Sequence, residues 1–310
     1  MEQKLYSAIL KEHPRRVELK FLFRHMAGDM AIWLAMAALS PMAWWGKLVS
    51  VLLFAVFTFR AFSMMHECVH YAVVAKRRPN DWLGEAYGIF CLLPFQSWRR
   101  LHMEHHFWTG NVERDPSMKI LAQFRHADFW VSPVVAYCWR RWVPLLGFLQ
   151  HRVFWQATLG RREYVFMAGA FVYIVGGLWL LGPFVLGGGA LLYLFMVEVI
   201  NFPHHLGLRQ FDGEARFASH QQDRFSRSCD YPVWAAQHIF LNFNLHTEHH
   251  LFPAHPWYQL KDLRKRLMET CPEANRSVGN EWIRLHRARE IKEVFAETFD
   301  FAERVKKRAG

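Results

Sequence analysis

The sequence predicts an all-α integral membrane protein with four transmembrane helices in two hairpins. Three observations lead there: four apolar blocks of spanning length, a tight break inside each pair, and positive charge gathered on one side of the spans. The 310 residues are 52% hydrophobic and 21% charged, yet the mean hydropathy is only −0.04, because apolar blocks alternate with densely charged ones. This composition excludes a disordered or collagen-like chain.

The elements follow in order. Residues 1–25 read as a charged amphipathic segment, unlike a cleaved signal peptide. The spans are expected at about 26–45, 48–65, 164–181 and 183–200. The first is interrupted by Asp29 and Pro41, the second carries Arg60, the third has no charge, and the fourth has only Glu198. Each block has about 18–20 residues, enough to cross ~30 Å of hydrocarbon as a helix. Gly46-Lys47 and Gly182-Pro183 are the expected turns. The stretch 86–95 is too short to span and is expected to lie at the membrane interface.

In a four-span arrangement, 36 of the 38 Lys and Arg residues fall on one side, and the positive-inside rule makes that side cytosolic. Both chain ends and the loop between hairpins then face the cytosol, at a bacterial inner membrane or the endoplasmic reticulum. The net charge of +11 is thereby accounted for without nucleic acid. The five cysteines are far apart with no CxxC pair, as expected of reduced thiols.

Histidine is the unusual residue, with 18 in the chain, and three clusters stand out: His66–His70 (HxxxH), His102–His106 (HxxHH) and His246–His250 (HxxHH). Two HxxHH triplets arise by chance on the order of once in several hundred chains of this composition. The first cluster follows the second span, the second lies between hairpins, and the third follows the fourth span. All three therefore reach the same membrane face. Histidines four apart share a helix face, about 6 Å apart along the axis. The triplets thus present His102 with His106, and His246 with His250, with His105 and His249 close by.

A ninth candidate ends the fourth span in Asn201-Phe202-Pro203-His204-His205. His205 shares a face with Asn201 and Glu198, whereas His204 points about 100° away, so His205 is the preferred ligand. Glu198, an acid at the membrane boundary, is expected to accept from a ligating imidazole N–H. Nine imidazoles exceed what one ion uses, so two metal ions are implied, and imidazole suits iron, zinc, copper and nickel alike. His66-Glu67-Cys68-Val69-His70 is also a literal HExxH zinc-protease motif, but that reading leaves the other clustered histidines unexplained. A metal transporter would need ligands deep within the spans, and these gather at one end.

The boxes, with His105-His106-Phe107-Trp108-Thr109-Gly110 leading to Asp115-Pro116 and with His249-His250-Leu251-Phe252-Pro253, resemble the membrane fatty acid desaturase and hydroxylase superfamily over roughly residues 26–265. Residues 1–25 and a charged C-terminal segment 266–310, with a helix expected at 281–308, lie outside it. The resemblance implies a four-helix stem under a cytosolic helical cap holding two irons, with O2 as co-substrate. It implies one iron on His66, His102, His106 and His249, with a water held by Asn201. The other iron would take His70, His105, His205, His246 and His250. The segment Asn201–Leu208 also looks like a signature of membrane alkane hydroxylases, which keeps hydroxylation of alkyl, acyl or isoprenoid chains open as the alternative to acyl-chain desaturation.

The implied substrate is a fatty acyl or other long-chain lipid carried by acyl carrier protein, CoA or phospholipid. Trp98, Phe107, Trp108, Trp234 and Phe252 are candidate tunnel residues, and Arg99, Arg100, Arg140, Arg141, Arg161 and Arg162 are candidate contacts for an acidic head or donor. No HPGG haem motif occurs, so the electron donor is expected to be a separate protein of ferredoxin or cytochrome b5 type. Glu67, Glu104 and Glu248 flank ligands and are candidates for orienting them.

Overall fold

A computed structural model describes residues 1–111, 113–117, 161–208, 211, 216–274, 277–289 and 293. Arg140, Arg141 and most of the expected 281–308 helix lie outside the described residues, as do the side chains of Arg161 and Arg162. Among the described residues, two helices are long and apolar enough to cross a membrane, Trp44–Val69 and Glu163–His205.

The second of these, Arg161–His205 in full, is broken at Gly182, whose φ of 78° and ψ of 163° leave the helical region. A positive φ is what glycine tolerates best, and Pro183 starts the next leg without needing a backbone donor. A Cβ placed on Gly177 would lie 2.6 Å from Leu186 Cδ1. In an unbroken helix those positions would be ~13 Å apart, so the chain reverses here.

The first turn falls earlier than Gly46-Lys47. The helix Leu19–Leu39 ends before Pro41, and the next begins at Trp44. Proline cannot continue the hydrogen-bond ladder and forces the stop. Gly46 instead sits inside the second helix, where a Cβ would lie 2.4 Å from the Leu39 carbonyl oxygen, so it permits the close start. The first helix also begins seven residues before Met26, so residues 1–25 divide between it and a separate helix, Gln3–Glu12. That helix inserts Ile9 among Leu245, Leu251, Phe252, Leu260, Leu263 and Leu267.

The Trp44–Val69 helix is the core, buried without interruption from Phe57 to Val69. Met36, Phe54, Phe57, Leu181 and Val185 pack at one end, and Phe59, Phe62, Met65, Tyr193, Val197 and Phe243 nearer the histidines. Outward faces of the three long helices carry exposed Leu34, Leu52, Phe171, Trp179 and Phe184. The interrupting charges of the first hairpin meet inside it: Arg60 Nε donates to Asp29 Oδ1 at 2.6 Å and a second guanidinium nitrogen to the His25 carbonyl at 3.1 Å. Pairing is what makes such charges tolerable there.

Shorter helices cap one end: Arg77–Phe90, Phe95–Trp108, Val233–His238, His246–Leu251, Leu260–Thr270 and Asn280–Arg287. A two-residue parallel ladder, Ser228–Cys229 with Ser277–Val278, departs from an all-α fold. The 86–95 stretch does not form one interfacial segment. Its helix ends at Phe90, Leu92 takes a positive φ of 54°, and Leu93 and Phe95 are buried as the chain turns into the next helix. Cys68, Cys91, Cys229 and Cys271 are free thiols.

Candidate metal centre

Each histidine box rides on a helix end. His66 is in the last turn of Trp44–Val69 and His70 caps it, the second box lies on Phe95–Trp108, the third forms His246–Leu251, and His205 ends the long helix. The fold brings all nine into two adjoining groups. His66, His70, His102 and His249 form one and His105, His205, His246 and His250 the other, with ligand atoms in each within 4.8 Å of one another. His106 joins the first, its Nε2 3.0 Å from those of both His102 and His249.

Helical periodicity explains the sorting. In each triplet the outer pair, four apart, faces one group and the remaining histidine, about 100° around the helix axis from its neighbour, faces the other. His102 and His106 point one way and His105 the other, while His246 and His250 point one way and His249 the other. The division implied by the resemblance differs at one ring. His70 lies with His66, because a four-residue spacing keeps both on one face, and its Nε2 is 2.9 Å from that of His102.

Three of the four rings in the second group are tethered through their outward nitrogens. His105 Nδ1 lies 2.8 Å from Asp115 Oδ1, His205 Nδ1 donates to the Phe225 carbonyl at 2.7 Å, and His250 Nδ1 donates to Gln222 Oε1 at 2.9 Å. Gln222 in turn donates to the His106 carbonyl at 2.7 Å, which orients its amide. Asp115 is fully buried and also accepts from the backbone of Gly110 and Ser117. These acceptors hold the proton on Nδ1 and turn the Nε2 lone pair inward.

Across the two groups, six Nε2–Nε2 separations are 2.8–3.3 Å. Lone pairs facing one another repel unless a cation lies between them. With metal–nitrogen bonds of ~2.0–2.1 Å, neighbouring ligands sit ~3 Å apart, so the spacing fits first-row metal ions. Burial, then the neighbouring rings, pushes His70, His102, His106, His246, His249 and His250 well below the usual imidazole range. They are neutral at pH 7, the form that binds metal.

His204 is buried and stacks on His246 with centroids 4.0 Å apart and planes 9° from parallel. It stands outside both groups. Asn201, half-buried, is one turn before His205. Glu198 was expected to serve an imidazole; the structure sets its carboxylate against the Arg287 guanidinium, both side chains being almost wholly buried.

The flanking glutamates differ. Glu67 lies 3.4 Å from His66 Nδ1 and accepts from the Trp257 backbone at 2.9 Å, Glu248 accepts from Ser228 beside Arg264, and Glu104 is exposed. Trp98 stacks on His102 at 4.5 Å and Phe252 on Tyr6 at 5.2 Å, whereas Phe107 and Trp234 are exposed. Arg99 is paired with Asp81 at 2.6 Å. Asp115, Gln222, Phe225 and Arg287 were given no role from sequence. Only Asp115, carried along with the second box, had any signal to find it by.

Comparison with known proteins places this geometry. The family model described as fatty acid desaturase matches residues 42–282. An sn-1 oleoyl-lipid 12-desaturase of Synechocystis sp. is 27% identical over 223 residues, covering 65% of this chain and 62% of the relative. An sn-1 acyl-lipid omega-3 desaturase (ferredoxin) of Nostoc sp. is 22% identical, covering 64% and 61%. A beta-carotene 4-ketolase of Protosiphon botryoides is 25% identical, covering 68% and 49%. The chain thus spans less than two thirds of the length of each of these relatives.

Proposed function

Because the chain belongs to the fatty acid desaturase family, whose members are oxidoreductases, we propose that it is an O2-dependent di-iron desaturase. It would place a double bond in a long acyl chain, or a triple bond where an alkene already stands. The observation that carries this reading is the convergence of nine buried or half-buried imidazoles into two adjoining groups at one end of the long helices. Two irons would supply the reduction of O2 that makes removal of hydrogen from unactivated carbon feasible.

This chain's residues would do the rest. His66, His70, His102, His106 and His249 would hold one ion, and His105, His205, His246 and His250 the other. Asn201 would hold a water beside them, and Glu198 is assigned to its pair with Arg287. Burial of both groups would keep bulk water from the reacting chain. The balance per turnover is one O2, two electrons and two protons from outside, and two hydrogens from the substrate, leaving an alkene and two waters.

The exposed apolar faces support four spans in two hairpins, and the Lys and Arg gathered on one side support cytosolic termini and a cytosolic metal centre. The named relatives support an acyl-lipid substrate and a ferredoxin donor. A second reading, oxygen insertion, is favoured by the ketolase relative and by the hydroxylase-like segment 201–208. Metal analysis and O2 uptake of the purified protein, with mass spectrometry of lipids from expressing cells, test both. About two irons, O2 uptake and a product lighter by two hydrogens are expected. A product heavier by one oxygen selects the second reading, and a single zinc without O2 uptake overturns both.

A further inference from the structure

Four contacts tie the C-terminal segment 277–287, within which the family match ends at residue 282, to residues 198 and 227–230 beside the second metal group. First, Ser277–Val278 pairs in parallel with Ser228–Cys229, extended by Asp230 N–H donating to the Val278 carbonyl at 2.9 Å. Second, Ser277 Oγ and Arg264 both donate to Asp230, at 2.6 and 2.7 Å. Third, Trp282 lies under the Arg227 guanidinium, 4.7 Å from its centroid, and that guanidinium donates to the Leu206 carbonyl. Fourth, Arg287 meets Glu198.

The strip 225–230 beneath this segment holds one ligand directly and bonds neighbours of the others. The Phe225 carbonyl takes the His205 N–H, the Arg227 N–H donates to the His204 carbonyl at 3.0 Å, and Ser228 bonds both the Thr247 N–H and Glu248 in the third box. Glu198 is seven residues before His205, which is almost two full helical turns, so both project from one face. A guanidinium fixed on Glu198 therefore sets the rotation of the helix end that presents His205. From this geometry we infer that segment 277–287 is a clamp on the half of the metal centre formed by His205, His246 and His250, with Arg287 as its positioning residue. The inference rests on the dinuclear reading above.

Removing one partner of a buried ion pair leaves the other charge uncompensated, and removing both does not. The test is therefore a pair of full-length variants, Arg287→Ala and Glu198→Gln/Arg287→Met, each purified and titrated with Fe(II) against a competing chelator. In both, the weaker-held ion should lose roughly 10- to 100-fold in affinity while the other stays within about twofold, and stoichiometry at limiting metal should fall from two toward one. Adding His205→Ala to either variant should cost less than the same substitution costs in the wild type, because the clamp acts through that ring. If Arg287→Ala does not fold, the double variant, which buries no lone charge, decides alone. Two ions held as tightly as in wild type, or both weakened equally, would overturn the clamp. Fewer than two ions in the wild type would overturn the dinuclear reading and the clamp together.

Discussion

The two imidazole groups lie side by side but are held by different means. In the first, rings are wedged: His66 sits edge-on to Phe243 at 5.0 Å and to Trp98 at 5.7 Å, and His102 stacks on Trp98 at an interplanar angle of 12°. In the second, rings are tethered, with His105, His205 and His250 bound through Nδ1 to Asp115, the Phe225 carbonyl and Gln222. Four rings of the wedged group come from two well-packed helices, Trp44–Val69 with its cap and Phe95–Trp108, and His249 joins them from His246–Leu251. The tethered group depends on acceptors from residues 115, 222 and 225, and those depend on loops. Helix packing supplies position at no cost in donors, whereas a tether also fixes the tautomer and raises ligand basicity.

The largest expected effect comes from a ring of the wedged group. His249→Ala removes the ligand atom 3.0 Å from His106 Nε2 and should abolish turnover and lower bound iron by at least one ion per chain. Full turnover in that variant, measured as substrate conversion, would take His249 out of the centre.

Next, Asp115→Asn strikes the tethered group alone. The amide keeps the shape but loses the charge that faces His105 Nδ1 at 2.8 Å, and the weaker-held ion should bind about tenfold less tightly in a chelator titration. Equal weakening of both ions would erase the distinction between the groups.

Acid should act on both groups alike. Burial lowers the pKa of His102, His106, His246, His249 and His250 below the ordinary imidazole value of about 6.5, so below that pH the unfolded chain binds more protons than the folded one. The stabilisation is complete above 6.5 and is lost progressively as pH falls. The melting temperature of the metal-free protein should therefore drop between pH 7 and pH 5, and iron should be released over the same range because protons compete for the ligand atoms. A flat profile, measured by scanning fluorimetry, would show that the rings are not buried and neutral.

What could be read from the sequence tracks this same contrast. Box spacing is local, so the four-residue pairs on one helix face were legible, as was the reversal at Gly182-Pro183, where glycine and proline act through their own backbone geometry. The first turn was misplaced because Gly46 looked like the breaker, while Pro41 does the breaking and Gly46 serves a close approach. The partition of His70 follows from its own four-residue spacing, whereas the division implied by the resemblance set it apart from His66. The tethers left almost no trace. A backbone carbonyl at Phe225 has no sequence signature, and one glutamine or one arginine at position 222 or 287 looks like any surface residue until the chain has folded.

The smallest expected effect falls on the ring that belongs to neither scheme. His204 is 1% exposed, and both of its nitrogens lack a described hydrogen-bond partner, so it is neither tethered nor in a ligand group. It packs flat on His246, a face contact of the kind worth about 0.5–1.5 kcal/mol beyond area alone. If that stack is its whole contribution, phenylalanine supplies it as well. His204→Phe should keep both ions and retain turnover within about threefold, while His205→Phe, which deletes the atom 2.8 Å from His246 Nε2, should lose one ion. Iron counts on the two purified variants make the comparison directly. The opposite pattern, an ion lost with His204 and none with His205, would move the ligand by one residue and rotate the helix end by about 100°, a change that the Phe225 tether does not allow.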